Sequence, residues 1–217
     1  LFRSPYYLAI LSGFESSVME QGYEISFIRT NDELENPQLL YKTFDEPVSG
    51  IIIMNTLTSD TFDFIKKKTP FMVGIDTEHT DIDNVGYNHY SAAFMAVKHL
   101  KERGYKRIGF IGGFSDNMNT SRRFNGYYAA LHAYDLDFNP DWVLNSNWEE
   151  EKCIEAVTRA HKAGKLPDAF FVASDLMAIA VLRTLFDLGV SVPDEIGVVG
   201  LSNIEISKYS NPPLTTI

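Results

Sequence analysis

The stretch from residue 168 to residue 203 constrains the fold more than any other part of the chain. It opens with an apolar run of strand length, residues 169–173, and closes with a second apolar run, residues 196–201. Between the two runs, apolar residues recur at the spacing of three and four that is typical of an amphipathic helix. Gly189 and Pro193 end that helix. A strand–helix–strand unit of this kind builds a parallel sheet, so the sequence predicts an α/β fold.

Polar side chains follow both of these strands. Ser174 and Asp175 come directly after the first strand, and Ser202 and Asn203 come after the second. In open α/β sheets, ligands bind at the carboxyl ends of the strands, so these residues are candidates for a binding site. Ser174 and Asp175 are also residue types that cap the start of a helix. For Ser174 the sequence leaves both roles open.

The remaining sequence continues the alternation of strands and helices in two series of similar size. The first series predicts helices at residues 5–21, 34–44, 60–67 and 91–103, and strands at residues 24–28, 50–54, 70–75 and 84–87. The second series predicts a strand at residues 107–111 and helices at residues 122–133 and 150–163, followed by the stretch described above. The sequence therefore predicts two similar lobes, residues 1–104 and 105–217, with the boundary where one helix stops at Gly104.

Charge and composition restrict the partners of this segment. The 217 residues include 19 basic and 29 acidic side chains, which gives a net charge of −10. Such a surface repels nucleic-acid phosphates and acidic membranes, so we expect neither as a direct partner of these residues. No apolar run approaches the ~20 residues that span a bilayer. The single cysteine, Cys153, excludes a disulfide framework and fits a reducing, cytoplasmic location.

The sequence carries no pattern of a catalytic or metal centre. The histidines are widely spaced and there is no HExxH motif, so the pattern predicts no metal site. The GxSxG and P-loop motifs are also absent. We therefore expect no enzyme activity and no cofactor.

Four segments together resemble a known family. They are KHLKERGYKRIGFIGG (98–113), RFNGYYAAL (123–131), the run ASDLMAIAVLRTLFDLGVSVPDEIGVVGLSN (173–203) and NPPLTTI (211–217). In order and spacing they are similar to the effector-binding core of LacI/GalR transcription regulators. The resemblance implies a periplasmic-binding-protein-like fold, with two Rossmann-like lobes and a ligand cleft between them.

The resemblance also implies a function and partners. The chain is expected to be the sugar-sensing core of a cytoplasmic bacterial regulator that works as a homodimer. A small-molecule effector, a galactoside or another mono- or disaccharide, would bind in the cleft and control DNA binding allosterically. Operator DNA would be bound through an N-terminal helix-turn-helix, which is expected to lie outside residues 1–217. The resemblance implies that the first core strand and the final helix of the core are also missing from these residues. The alternative from another class is a periplasmic sugar-binding protein of an ABC importer, which uses the same fold.

The resemblance assigns the ligand-binding residues by position. Arg123 matches an arginine that contacts the effector, and Trp148 matches an aromatic residue that stacks on it. Asn88 and Ser202 stand where the family usually has aspartates, which leaves the identity of the effector open. The predicted ligand-binding residues are Tyr6, Asn55, Asn88, Arg123, Trp148, Ser174, Ser202 and Asn203.

Overall fold

The computed structural model describes residues 4–54, 56–77, 79–114 and 121–217. The chain divides into two compact units, Leu1–Tyr87 (unit 1) and Asn88–Ile217 (unit 2). The division therefore falls before the helix at residues 89–102, whereas the sequence places the boundary after it, at Gly104. The reason is packing, because this helix lies against the helix that begins at Arg122.

Unit 1 is built on a short parallel sheet. Its elements are α1 (Pro5–Glu20), α2 (Asn31–Glu35), α3 (Pro37–Thr43), β1 (Ile51–Ile53), α4 (Ser59–Lys68), β2 (Met72–Ile75) and β3 (Asp83–Val85). The strands lie in the order β1-β2-β3, with Ile52 opposite Val73. Its core is apolar and is formed by Leu34, Leu40, Phe44, Ile53, Leu57, Phe62, Ile65 and Met72.

Two predictions for unit 1 are wrong. The helix expected over residues 34–44 is two helices, because the Asn36 side chain accepts hydrogen bonds from the backbone of Gln38 and Leu39 and so starts a new helix at Pro37. The strand expected over residues 24–28 does not form, and these residues join no ladder with the sheet. An alternating pattern needs a neighbouring strand to become a strand, and among the described residues β1 pairs only with β2.

An apolar cavity of about 640 Å³ lies inside unit 1. It is lined by α1 through side chains such as Phe14 and Val18, by residues 22–31, and by β1. No residue of α1 is buried, although the helix carries an apolar stripe. The helix therefore lies beside the sheet of unit 1 without contributing a buried side chain to the core.

Unit 2 is a five-stranded parallel sheet. Its elements are α5 (His89–Glu102), β4 (Ile108–Gly112), α6 (Arg122–Ala133), β5 (Val143–Asn145), α7 (Glu150–Lys162), β6 (Ala169–Val172), α8 (Asp175–Asp187), β7 (Gly197–Gly200) and β8 (Thr215–Thr216). The strands lie in the order β5-β4-β6-β7-β8, with Phe110 opposite Phe171. The chain leaves β4 toward β5 and returns on the other side to β6, which makes the β4–β6 junction a topological switch point.

The sequence predicts most of unit 2. The α/β fold class with a parallel sheet is confirmed, and α6 has the predicted bounds. The short strand β5 was missed, because three residues are too few for a periodic signal. The core of unit 2 includes Tyr127, whose hydroxyl donates to the Ile108 carbonyl oxygen at 2.8 Å. Burial raises the pKa of that phenol far above its ordinary value.

The described residues were compared with the requirements of a membrane-spanning helix and of a metal site. In that part of the chain no helix is long and apolar enough to cross a membrane. Within the same ranges no three His, Cys, Asp or Glu side chains lie together as metal ligands would.

Candidate functional site at the strand ends of unit 2

Arg123 lies at the switch point between β4 and β6. It is in the first turn of α6, which the Ser121 side chain caps by accepting from the Phe124 N–H at 3.2 Å. Nη1 of Arg123 donates to the Ala173 carbonyl oxygen at 3.0 Å. Because Ala173 directly follows β6, this bond fixes the guanidinium at the carboxyl end of that strand.

Two side chains from elsewhere in unit 2 also contact Arg123. Nε donates to Nδ1 of His89 at 3.3 Å, and His89 is the first residue of α5. The guanidinium carbon lies 5.0 Å from the centroid of the Trp148 ring, which is a cation–π distance. The structure thus brings together Arg123 and Trp148, the two residues to which the sequence assigns the effector, and adds His89.

Trp148 is held in an unusual backbone conformation. Its φ is 65° and that of Asn147 is 49°, so two successive non-glycine residues are left-handed. The indole lies against the backbone of Gly113, where an added Cβ would overlap the ring. Trp148 nevertheless remains 47% exposed. Part of the aromatic surface is therefore accessible to a ligand.

Asn145, at the end of β5, fixes this turn. Its side-chain oxygen accepts from the backbone N–H of Asn147 at 3.0 Å and from that of Phe114 at 3.3 Å. Its amide nitrogen donates to the Phe114 carbonyl oxygen at 2.8 Å. Sequence reasoning missed Asn145, although an Asn two residues before a left-handed position is a recognised signal of a side-chain-stabilised turn.

Asp175 connects three elements of unit 2 and does not cap α8. One carboxylate oxygen accepts from the Ile204 N–H at 2.9 Å and the other from the Thr216 hydroxyl at 2.6 Å. The sequence favours Asp175 as the cap of this helix, and that expectation is wrong. Burial raises the pKa of this carboxyl group, and the hydrogen bonds from Thr216 and from the backbone oppose that shift.

The other residues of this strand end differ in how they are held. Ser174 occupies the N-cap position of α8, but its side chain makes no capping hydrogen bond. Ser202 and Asn203 have φ values of 120° and 47°, and Asn203 is exposed. Their N–H groups donate to Ile217 O at 2.9 Å and to Thr216 Oγ1 at 3.2 Å. The loop after β7 is thus attached to the C-terminal strand.

Asn88 caps the start of α5. It is exposed and precedes α5, and its side-chain oxygen accepts from the Ser91 N–H at 3.0 Å. This is an N-cap, which uses the amide oxygen and leaves the amide nitrogen as a donor.

Two predicted residues belong to unit 1. Tyr6 donates to a carboxylate oxygen of Asp76 at 2.8 Å and makes edge-on contacts with Tyr7 and Tyr87. Burial, and then the Asp76 hydrogen bond, raise the pKa of the Tyr6 phenol. Asn55, the other prediction in unit 1, lies outside the described residues.

Comparisons with known proteins find a domain family and a group of transcriptional repressors to which this chain is similar. Residues 97–217 match the family described as a periplasmic binding protein-like domain. The transcriptional repressor PurR of Pasteurella multocida is 31% identical over 222 residues, which cover 99% of this chain and 66% of the repressor. PurR of Aliivibrio salmonicida is 30% identical over 221 residues, again 99% of this chain and 66% of the repressor. The chain thus spans slightly under two thirds of the length of these relatives. These relatives are transcriptional repressors, which agrees with the expectation that the chain has no enzyme activity.

Solved structures share the fold. A LacI-family regulator from Lactobacillus casei with bound glucose aligns with a TM-score of 0.84 at 20% identity, over 100% of this chain and 83% of its own. The regulator CelR in complex with cellobiose aligns with a TM-score of 0.83 at 24% identity, over 100% of this chain and 68% of its own.

Proposed function

The chain belongs to the family of periplasmic binding protein-like domains, as a LacI/GalR-type effector-binding core, and we propose that it senses a sugar. The observation that carries this proposal is the position of Arg123. Its guanidinium is held at the end of β6 by Ala173 and placed beside the half-exposed Trp148 ring. This is the switch point of the sheet, where ligands of open α/β proteins bind.

The chemistry of these residues suits a sugar. One face of a pyranose is rich in C–H groups and can stack on the indole of Trp148, while its hydroxyls accept hydrogen bonds from Arg123. Ser174, Ser202 and Asn203 supply further donors and acceptors at neighbouring strand ends. LacI-family structures with bound glucose, sucrose and cellobiose support the same class of effector. Tyr6, Asn55 and Asn88 remain predicted contacts.

A planar heterocycle such as a nucleobase is the second candidate. None of the eight predicted contact residues is an Asp or Glu, although carboxylates are strong acceptors for sugar hydroxyls. The nearby carboxylate of Asp175 accepts from Ile204 and Thr216 of the chain itself. An arginine beside an exposed indole suits a flat ring with carbonyl acceptors, because bases stack on aromatic side chains and arginine donates to their edges.

In the whole protein, we propose that the effector controls binding to operator DNA. The relatives are repressors, which favours a regulator over a periplasmic protein of an importer and, with it, a cytoplasmic location. Effector binding would change the relative orientation of the lobes, and DNA would be bound by a helix-turn-helix outside residues 1–217. By linkage, effector and operator then change each other's affinity by the same factor.

A homodimer is part of this proposal. The sequence of α6 suggests an apolar face wider than one sheet needs, formed by Tyr127, Tyr128 and Leu131. Of these three residues, Tyr127 and Leu131 are core residues and Tyr128 is exposed, at 47%. The apolar face of α6 that is open to a partner is therefore narrower than the sequence suggests. Sedimentation of residues 1–217 at micromolar concentration tests the dimer, and a monomer contradicts it.

A thermal-shift screen followed by calorimetric titration tests the effector site. One panel contains mono- and disaccharides, and the other contains nucleobases and nucleosides. For the compound that stabilises the wild type, Arg123→Ala should weaken binding by about 10- to 100-fold, the range for a lost charge-assisted hydrogen bond. Trp148→Ala should also weaken it. Arg122→Ala is the matched control, because Arg122 is the exposed neighbour on α6. If both test variants bind like the wild type, the effector lies elsewhere.

A further inference from the structure

We propose that His89 is the positioning residue of the effector site, because it orients the guanidinium of Arg123 from the start of α5. This inference rests on the proposed function in so far as it takes Arg123 as an effector contact. Neither the motifs nor the resemblance points to His89. The structure places it at the site through the hydrogen bond that its side chain accepts from Arg123.

The contact fixes the plane of the guanidinium. Arg123 donates from Nε to His89 and from Nη1 to the Ala173 carbonyl oxygen. A guanidinium is planar and its donors point in fixed directions. Two bonds from different nitrogens to acceptors on different elements therefore set both its position and its tilt.

The orientation matters because Trp148 lies next to the same group. The guanidinium carbon is 5.0 Å from the ring centroid, so a change in tilt alters the surface that the two side chains present together. A site that is ordered before binding loses less conformational freedom when the ligand arrives. His89 thus acts on the effector through Arg123.

The contact also specifies what the imidazole contributes. Nδ1 of His89 accepts a hydrogen bond from the Nε–H of Arg123. The required property is an acceptor at the Nδ1 position. The side-chain oxygen of an asparagine stands at nearly the same distance from the backbone, whereas a leucine fills similar space without an acceptor.

Asn88, the N-cap residue that precedes α5, is less suitable for this role. Its side-chain oxygen already accepts from the Ser91 N–H and so is directed at its own helix. His89, one residue later, reaches α6. The residue of α5 that acts on the effector is therefore His89, whether or not Asn88 also contacts it.

The test uses Trp148 as a reporter in the ligand-free chain. The protein has two tryptophans, so Trp142→Phe leaves Trp148 as the sole indole. In this background His89→Leu should move the emission spectrum of Trp148 toward that of Arg123→Ala. His89→Asn should restore the spectrum of the parent. The control is His132→Leu, which removes an exposed histidine from the far end of α6 and should change nothing.

The same variants are then titrated with the compound that stabilises the wild type. His89→Leu should lose affinity roughly two- to tenfold, the range for one hydrogen bond, and His89→Asn should bind within about twofold of the parent. Wild-type emission in His89→Leu overturns the proposal, and so does an asparagine variant that behaves like the leucine variant. If no sugar or nucleobase binds at all, the proposed function fails, while the emission spectra still decide the role of His89.

Discussion

Replacing Asp175 should separate two properties of its carboxylate, namely its ability to accept hydrogen bonds and its negative charge. The residue is fully buried and accepts from the Ile204 N–H and the Thr216 hydroxyl. Asp175→Ala leaves both donors without that acceptor. An unsatisfied buried donor costs about 1–3 kcal/mol, so we expect a loss of about 2–6 kcal/mol for the two together. That is a large part of the ~5–15 kcal/mol of a typical domain.

Asp175→Asn should cost much less. The amide oxygen can accept from Ile204, and the amide nitrogen can donate to the Thr216 hydroxyl, which both donates and accepts. Both partners stay satisfied while the buried charge is removed, so we expect a change within about 1 kcal/mol. The control is Asp187→Ala on the same helix, because Asp187 is exposed and forms an ion pair with the exposed Arg183. Urea unfolding followed by circular dichroism measures all three variants.

The pH dependence gives a second, independent readout. The pKa of Asp175 is raised in the folded chain, so the folded state holds this proton at pH values where the unfolded state has released it. The contribution of Asp175 to stability is therefore present below its ordinary pKa of about 4 and is lost as the pH rises through the raised value. Relative to the wild type, Asp175→Asn should gain stability over that rise. The reasoning is refuted if Asp175→Ala is no more destabilising than Asp187→Ala, or if the asparagine variant keeps the wild-type slope.

Three further predictions concern packing and charge. Gly113→Ala places a Cβ in the space of the Trp148 indole, so it should shift the tryptophan emission and lower effector affinity, whereas Gly13→Ala, where the space is open, should not. Tyr127→Phe removes a buried hydrogen bond and should cost about 1 kcal/mol by urea unfolding, against almost nothing for the exposed Tyr128→Phe. Residues 1–217, with a net charge of −10, should not bind duplex DNA, and a sub-micromolar, salt-sensitive gel shift would contradict this.

The fold could be predicted where a segment carries its own information. The helix α6 has an apolar face and a capping serine within the segment, and its predicted bounds match those observed. Residues 24–28 show the limit of such reasoning. Their alternation favours a strand, but a strand exists only when a neighbour pairs with it, and the pattern says nothing about neighbours.

The position at which the chain divides into two units could not be predicted from the sequence, for a related reason. Gly104 ends α5 and precedes a new strand, which looks like a boundary. Helix α5 nonetheless packs closely against α6, so it belongs with the residues that follow it. A glycine reports where a helix ends, and it carries no information about which side of the helix is buried.

The proximity of Arg123 and Trp148 was predictable from the sequence, and the groups that hold these two residues were not. Arg123 and Trp148 were assigned through matching segments and do lie together. Asn145 and His89 were not, because each acts through a hydrogen bond to a residue remote in sequence or on another element. Such bonds leave no periodic pattern, and an isolated Asn or His has too many ordinary uses to be informative.

These holding groups have a consequence for how variants of the site should behave. Trp148 is fixed by the turn that Asn145 makes, Arg123 by His89 and Ala173, and the loop after β7 by the carboxylate of Asp175. Each strand end is thus held by hydrogen bonds within the chain itself. Removing a contact residue deletes a bond to the effector and should cost about tenfold or more. Removing a holding residue leaves the bond to the effector possible, but the effector must then order the loop when it binds. Affinity should therefore fall less than for a contact residue. The enthalpy of binding should change little, and the entropy of binding should become less favourable.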